Sequence, residues 1–423
     1  MISFSLPTWQ QQVLTAIAIA IAIAIAFAAP AVAAPVSFAE ALRLAERNAP
    51  TLAAQDARFD AARQAAIPAG ELPDPKLVVG LDNLPITGPD RFSLTRESMT
   101  MQRVGVMQEV PNGDKRRARV AVAQSTIERV EIERRIERLK VRRETALAWI
   151  ARYTVERKLA LFDALYHENR LLAEAARSRV AAGRGLALDT VLPRQEAAAL
   201  EDRHDQQERE RSDAQAALTR WIGAAGAEPL TGAAPEWPIT PATLLHRLHQ
   251  HPELTVFASM MRQAEAEVRE TEATKKPDWA VELAYQRRAP DFSDMASVQF
   301  SFDLPVFAGR RQDPQIAARR AELVRIAAER EAALREHTQV LATDLATYRQ
   351  LDRATHRQRE RLLPLAQEKV ELALAAYRGG QTELATVIAA RSEWLDARLK
   401  AIDLEGQRAL AAARLHYAYG ENE

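Results

Sequence analysis

The second half of this chain repeats the first, so any fold it adopts must hold the same string of elements twice. FAEALRLAERNAPTLAAQDARFDAARQAAIPAGELPDPKLVVGL, from Phe38 to Leu81, resembles TLLHRLHQHPELTVFASMMRQAEAEVRETEATKKPDWAVEL, from Thr243 to Leu283, and the same offset separates Pro50 from Pro252 and Pro75 from Pro277. Farther on, QEVPNGDKRRAR around Pro111 answers FDLPVFAGRRQD around Pro305 at a smaller offset, so the loop between the paired strands is shorter in the second copy. RVAAGRGLALDTVL then answers AYRGGQTELATVI, aligning Gly183 with Gly379, and LTRWIG answers LHYAYG, aligning Gly223 with Gly420. Each copy reads as short helix, helix, strand, strand, very long helix, turn, long helix. The first covers 34–223, with strands over about 76–84 and 98–110 and a helical hairpin over about 114–223. The second covers 243–423, with strands over about 278–287 and 296–305 and a hairpin over about 313–420. Residues 224–242, within a Gly- and Pro-rich stretch, link them.

The strands are short and alternate. Trp279, Val281, Leu283 and Tyr285 interleave with Asp278, Ala280, Glu282, Ala284 and Gln286, and Val298, Phe300, Phe302 and Leu304 with Ser297, Gln299, Ser301 and Asp303. Leu77, Val79 and Leu81 do the same in the first copy, and the segment from Met99 to Val110 is less regular. One face of each strand is therefore apolar and the other polar, the pattern of transmembrane barrel strands. The helices are long. Between Asp114 and Val180 there is no proline, which allows a continuous helix of about 100 Å at 1.5 Å per residue. Its apolar seam is expected at Ile127, Val130, Ile136, Leu139, Ala146, Ile150, Leu161, Leu165 and Leu172. The counterpart from about Gln315 to Tyr377 contains Pro364, which predicts a kink. Only 15 glycines and 6% aromatics among 423 residues fit a mostly helical chain.

At the N-terminus, a charge-free run from Val13 to Ala29 is followed by Ala31-Val32-Ala33, the layout of a secretory signal peptide over residues 1–33, although the n-region has no Lys or Arg. An uncleaved anchor is the rival reading, for which the run is short. No other apolar run has spanning length, so entry of the mature protein into a membrane requires β-strands. Four strands cannot close a barrel, since the smallest have about eight, and an open edge in lipid costs several kcal/mol per unpaired backbone group. Sharing a barrel among copies satisfies those edges. The formal net charge is zero, with 57 Lys+Arg against 57 Asp+Glu, which argues against a nucleic-acid partner. There is no cysteine, which removes disulfides, thiolate sites, a Cys nucleophile and a lipid-modified N-terminal Cys.

Taken with the signal segment and the duplicated order, PDPKLVVGLDN at Pro73 to Asn83 and the two turns RVAAGRGLALDTVL and YRGGQTELATVI resemble the outer membrane factor (TolC) family over essentially the whole mature chain. The resemblance implies a mostly α fold with a small β part: duplicated long-helix coiled-coil hairpins form an α-barrel, and four strands per protomer contribute to a shared transmembrane β-barrel. It implies a homotrimer in the outer membrane with a long periplasmic tunnel; many family members are also lipid-anchored at a cysteine after the signal, and this chain departs from them in having none, so the barrel alone is expected to hold it. It also implies two partners, a periplasmic adaptor (membrane fusion) protein and an inner-membrane pump of the resistance-nodulation-division type, with the pump using the energy. QAAIPAGELPDPKLVVGLDNLPITG resembles the heavy-metal branch, cobalt-zinc-cadmium and copper/silver efflux. The expected function is a passive duct, and the alternative is a secreted or periplasmic coiled-coil scaffold without membrane insertion.

The same resemblance places adaptor docking and gating at the tip turns: Arg179, Gly183, Leu186, Leu188 and Asp189 in the first, and Tyr377, Gly379, Gly380, Gln381, Glu383 and Leu384 in the second. The plainer alternative is that these residues only make a hairpin turn. Family members often carry aspartates after the second tip, where this chain has Thr386 and Ala389, so an acidic constriction would fall to Glu383 or Asp189. His246, His249 and His251 are read as a solvated helix end in preference to a metal site, since their repeat equivalents are Leu44, Arg47 and Ala49. Met99, Met101 and Met107 are read as apolar barrel residues in preference to copper(I) ligands. Lys115-Arg116-Arg117, Arg119 and Arg310-Arg311 are expected to form a polar collar or to meet lipid headgroups. No G-x-x-x-x-G-K, G-x-S-x-G, H-E-x-x-H or G-x-G-x-x-G occurs, so neither an enzyme nor a cofactor is expected.

Overall fold

Alternation and proline placement set the element boundaries in the computed structural model, which describes residues 35–420; the expected signal peptide lies outside them. In chain order the elements are β1 (Val36–Ser37), α1 (Phe38–Asn48), α2 (Pro50–Ala66), β2 (Lys76–Asp82), β3 (Met101–Val110), α3 (Gly113–Leu159), α4 (Phe162–Ala181), α5 (Leu192–Ile222), β4 (Leu230–Thr231), α6 (Pro241–Arg247), α7 (Pro252–Ala273), β5 (Trp279–Arg287), β6 (Met295–Phe302), α8 (Gln312–Arg357), α9 (Leu363–Arg378) and α10 (Leu384–Leu415). The protein is mostly helical with a small sheet part. Proline stands in the first turn of α2, α5, α6, α7 and α9, where its missing N–H costs nothing. Two compact units result, one made of residues up to Asn48, Glu144–Glu236 and Leu351–Leu410, the other of Ala49–Arg143, Trp237–Gln350 and Ala411 onward.

The second unit holds an antiparallel sheet in the order β2-β3-β5-β6. A joint at its base fixes the start of α3. Asn112 caps that helix, accepting from Lys115 N–H at 3.0 Å, and its own N–H and side-chain amide donate to Asp278 Oδ1 at 2.8 and 2.9 Å. Lys115 Nζ reaches Asp278 Oδ2 at 2.7 Å, Arg116 donates to Gly70 O at 2.7 Å, and Arg119 pairs with Glu270 at 2.9 Å. Lys115, Arg116 and Arg119 are thus joined to the protein's own carbonyl and carboxylates, while Arg117, Arg310 and Arg311 remain exposed. Leu244, Leu248, Leu254, Leu341, Leu345, Leu415 and Tyr419 form the main apolar cluster of this unit.

In the other unit β1 pairs in parallel with β4, and Trp149, fully buried, donates from Nε1 to Val36 O at 3.3 Å. Arg152 Nη1 donates to Gly226 O at 2.6 Å, tying α3 to the turn after α5. Along the seam expected for the first rod, Val130, Ala146, Ile150, Leu165 and Leu172 are buried, and Ile127, Ile136, Leu139 and Leu161 partly so. That rod is not continuous: a turn at Ala160–Leu161 separates α3 from α4, and Phe162 beyond it packs with Leu165, Leu200 and Leu395. In the second rod the disturbance precedes Pro364, as a π-helical stretch at Gln358–Leu362. There Gln358 Nε2 donates to Ala397 O at 3.0 Å.

Candidate functional site: an apolar sheet face and two glycine turns

Strand register sorts the sheet's side chains onto two faces. Leu77 pairs with Val106 and Val79 with Val104; these in turn face Leu283 and Tyr285, and Leu283 faces Val298. With Phe300 and Phe302 they form one continuous apolar face, and it is exposed: Leu77 is 71% accessible, Val298 61% and Phe302 60%. A contiguous exposed apolar patch of this kind is unusual on a water-facing surface. On the opposite face Arg103 donates to Glu282 at 2.5 Å and lies 3.8 Å from Asp82, and Lys76 pairs with Glu109. Met101 opposes Asp82, and Met107 lies between Lys76 and Glu282, so both belong to this polar face rather than to the apolar one expected for them. Met99 precedes the strand and is exposed. Gly105 sits where a Cβ would come within 2.8 Å of the Ala284 Cβ, which holds β3 and β5 close on the polar side. Among the described residues no helix is long and apolar enough to cross a membrane.

The tip turns belong to the other unit and share one construction. Arg184 N–H reaches back to Arg179 O at 2.8 Å and Gly183 N–H to Val180 O at 3.0 Å; Gln381 N–H reaches Ala376 O at 2.8 Å and Gly380 N–H reaches Tyr377 O at 3.0 Å. The left-handed residue is Gly183 (φ 71°) in the first turn and Gly380 (φ 73°) in the second. Gly379, at φ −77°, is still helical, so Gly380 rather than Gly379 is the counterpart of Gly183.

The expected tip residues divide into those that build the turns and those they display. Tyr377 and Leu384 are buried with Leu172, Ala176 and Val387, and the Arg179 guanidinium lies 4.4 Å from the Tyr377 ring centroid. Burial pushes the Tyr377 hydroxyl above its ordinary pKa despite that cation. Asp189 is buried, and its Oδ2 accepts the Leu186 N–H at 3.0 Å. Leu186, Leu188, Gln381 and Glu383 are exposed, and Gly183, Gly379 and Gly380 leave the backbone bare beside them. Behind the turns lies a lock that the sequence did not single out: Arg391, mostly buried, sits 3.3 Å from Glu168 and 3.5 Å from Glu196. Burial pushes the Glu196 carboxyl up, against the pull of Arg391. Asn169 adds a buried bond to Pro193 O at 2.9 Å. Their only signal was charge at helical spacing, which the rods display everywhere.

His246 and His249 are exposed, as expected of a solvated helix end, but His251 is half-buried, its ring tilted against that of His337 with centroids 4.4 Å apart. Residues 246–421 match the outer membrane efflux protein family. None of the curated protein sequences matches the chain. Solved structures match nearly all of it. A membrane protein from Pseudomonas aeruginosa is 19% identical with a TM-score of 0.79, covering 91% of this chain and 90% of that one. CusC, described in terms of folding and transmembrane channel formation, is 14% identical with a TM-score of 0.76, covering 91% and 92%. The Neisseria gonorrhoeae MtrE outer membrane channel in its open state is 16% identical with a TM-score of 0.75, covering 90% and 88%. The chain has the fold of outer membrane channels. In that fold the exposed apolar face and the two turns are the features that need a functional account.

Proposed function

We propose that this protein is the outer membrane duct of a tripartite efflux system, a passive homotrimer through which substrates leave the cell. The observation that carries the reading is the four-stranded sheet with an uncovered apolar face and two edges, β2 and β6, unpaired among the described residues. In lipid such a face is stable and such edges are not, so copies must pair edge to edge until the barrel closes. Three copies supply twelve strands, enough to close. The two sequence repeats, 34–223 and 243–423, then act as two structurally similar halves, and their turns form the periplasmic end. There Leu186, Leu188, Gln381 and Glu383 meet a periplasmic adaptor, which links the duct to a resistance-nodulation-division-type pump. Because Asp189 is engaged in its own turn, an acidic constriction rests on Glu383. The segment QAAIPAGELPDPKLVVGLDNLPITG supports heavy-metal cations as cargo ahead of drugs. A signal peptide over residues 1–33 delivers the chain, and the apolar sheet face meets outer-membrane lipid.

The test is the detergent-corrected mass, by light scattering on a size-exclusion column, of protein extracted from outer membranes. A trimer is expected, and a strain lacking the protein should become sensitive to the metals its pump exports. A detergent-independent soluble monomer or dimer would overturn the duct and favour a coiled-coil scaffold.

A further inference from the structure

His251 ends the turn between α6 and α7, Glu253 lies in the first turn of α7, and His337 lies on α8. One ligand atom from each lies within 4.8 Å of the others. We propose that these three side chains bind a divalent transition-metal ion of the zinc type, clipping the start of α7 to α8. The assignment stands independently of the duct reading.

The hydrogen bonds around His337 argue for a cation. Tyr419 donates its hydroxyl to the His337 carbonyl at 3.4 Å, which leaves the hydroxyl's lone pairs to accept from His337 Nδ1, also at 3.4 Å. The ring's other nitrogen, Nε2, faces Glu253 Oε2 at 3.0 Å. With the hydrogen on Nδ1, the Nε2 lone pair and the Glu253 carboxylate converge on one point where a cation fits; with it on Nε2, the ring donates to Glu253 directly. A proton can serve, and so can a metal ion, which would displace that proton. What favours the metal is the second imidazole. The His251 ring packs against His337, with centroids 4.4 Å apart, adding a third donor where a proton shared by Glu253 and His337 needs none.

Beside them the His251 ring is half-buried and carries an unprotonated nitrogen with a lone pair to give. That lone pair, on Nδ1, now accepts the Glu253 N–H at 3.2 Å. Metal binding at Nδ1 exchanges this single bond for a coordinate bond. Two imidazoles and one carboxylate with an open fourth position suit zinc, and the Tyr419 contact to the back of His337 is the kind of outer partner that orients a ligating imidazole. The frame is firm. Leu248, Leu254, Leu341 and Tyr419 belong to the apolar cluster beneath the trio. Arg143 adds positive charge nearby, which works against any cation here, and interacts with Asp344 as well.

The experiment uses the full chain purified in detergent without a histidine tag, stripped with chelator and titrated with Zn²⁺ by calorimetry. One ion per chain is expected, with affinity at least tenfold weaker in Glu253→Gln and in His337→Gln and unchanged when His246 and His249 are both replaced by Asn. Unchanged affinity in the first two variants, or loss in the last, would overturn the site. Zinc-edge X-ray absorption on the unaltered protein supplies a readout free of folding defects. Two imidazoles and one carboxylate are expected in the first shell; absence of imidazole scattering, or of any bound zinc, sinks the proposal.

Discussion

Three glycines at the tips carry different loads. Gly183 and Gly380 hold positive φ, where a Cβ is strained even though space is open around both; Gly379 is helical, and a Cβ there would make only ordinary contacts at 3.5 Å or more. Gly183→Ala and Gly380→Ala should each lower stability by roughly 1–2 kcal/mol, while Gly379→Ala should be neutral or slightly stabilising, as read by thermal melts. Equal losses at 379 and 380 would mean that the second turn has been placed one residue off. The sequence repeat aligned Gly183 with Gly379 because two adjacent glycines cannot be told apart by pattern; only the backbone conformation distinguishes them. His337 was missed for another reason. It sits on a charged rod far along the chain from His251, so nothing local announced their meeting. Another histidine, His416, stacks on Trp237 with ring centroids 5.1 Å apart. Burial first, then Arg142 and Arg247, hold its pKa below the ordinary 6.5. The unfolded chain therefore takes up this proton first, so stability is complete above about pH 6.5 and falls as pH drops from there toward the folded pKa. His416→Phe keeps the stack without the titration, and its stability should fall less steeply than the parent's between about pH 7 and pH 5. Parallel slopes in chemical denaturation would remove His416 from the account.

Elements were legible where one period dominated. The alternation in 278–287 and 296–305 placed β5 to within a residue and the start of β6 likewise, while β6 ends three residues early, at Phe302; the exposed faces follow from it. The partner strand from Met99 was less regular because methionine, arginine and glycine share its polar face, and register rather than residue type decides which way Met101 and Met107 belong. The break at Ala160–Leu161 has neither glycine nor proline to announce it; packing of Phe162 beyond it overrides local propensity. The sheet invites a two-faced test. Leu283, paired to Val106 and Val298, stands at the middle of the apolar face, and Gln299, one strand over, stands on the polar one. Leu283→Arg places a charge where lipid is proposed and should cost about 2–4 kcal/mol if that position lies near the bilayer midplane. Gln299→Arg should be close to neutral. Urea unfolding of protein folded into lipid vesicles separates them, and equal effects would show that neither face meets hydrocarbon.

At the scale of the whole molecule, the decisive feature is the pair of unpaired sheet edges, and the absence of cysteine makes them directly testable. All neighbours in the order β2-β3-β5-β6 are antiparallel, so β2 and β6 themselves run in opposite directions, and β6 of one copy can continue the antiparallel pattern against β2 of the next. A closed ring of identical joints follows, each joint the same heterologous contact. Single cysteines introduced along β2, from Val78 to Gly80, combined one at a time with cysteines along β6, from Ser297 to Gln299, scan the register of that joint. In the correct register the two Cβ atoms come within disulfide range, since neighbouring strands lie about 4.7–4.9 Å apart. Mild oxidation of such a pair in outer membranes should give covalent dimers and trimers on denaturing gels and nothing larger, because a closed ring has no free edge left. A ladder extending past the trimer would indicate open filaments. No cross-linking in any register would mean that the edges are covered by something other than a second copy, and the shared barrel would fall with it.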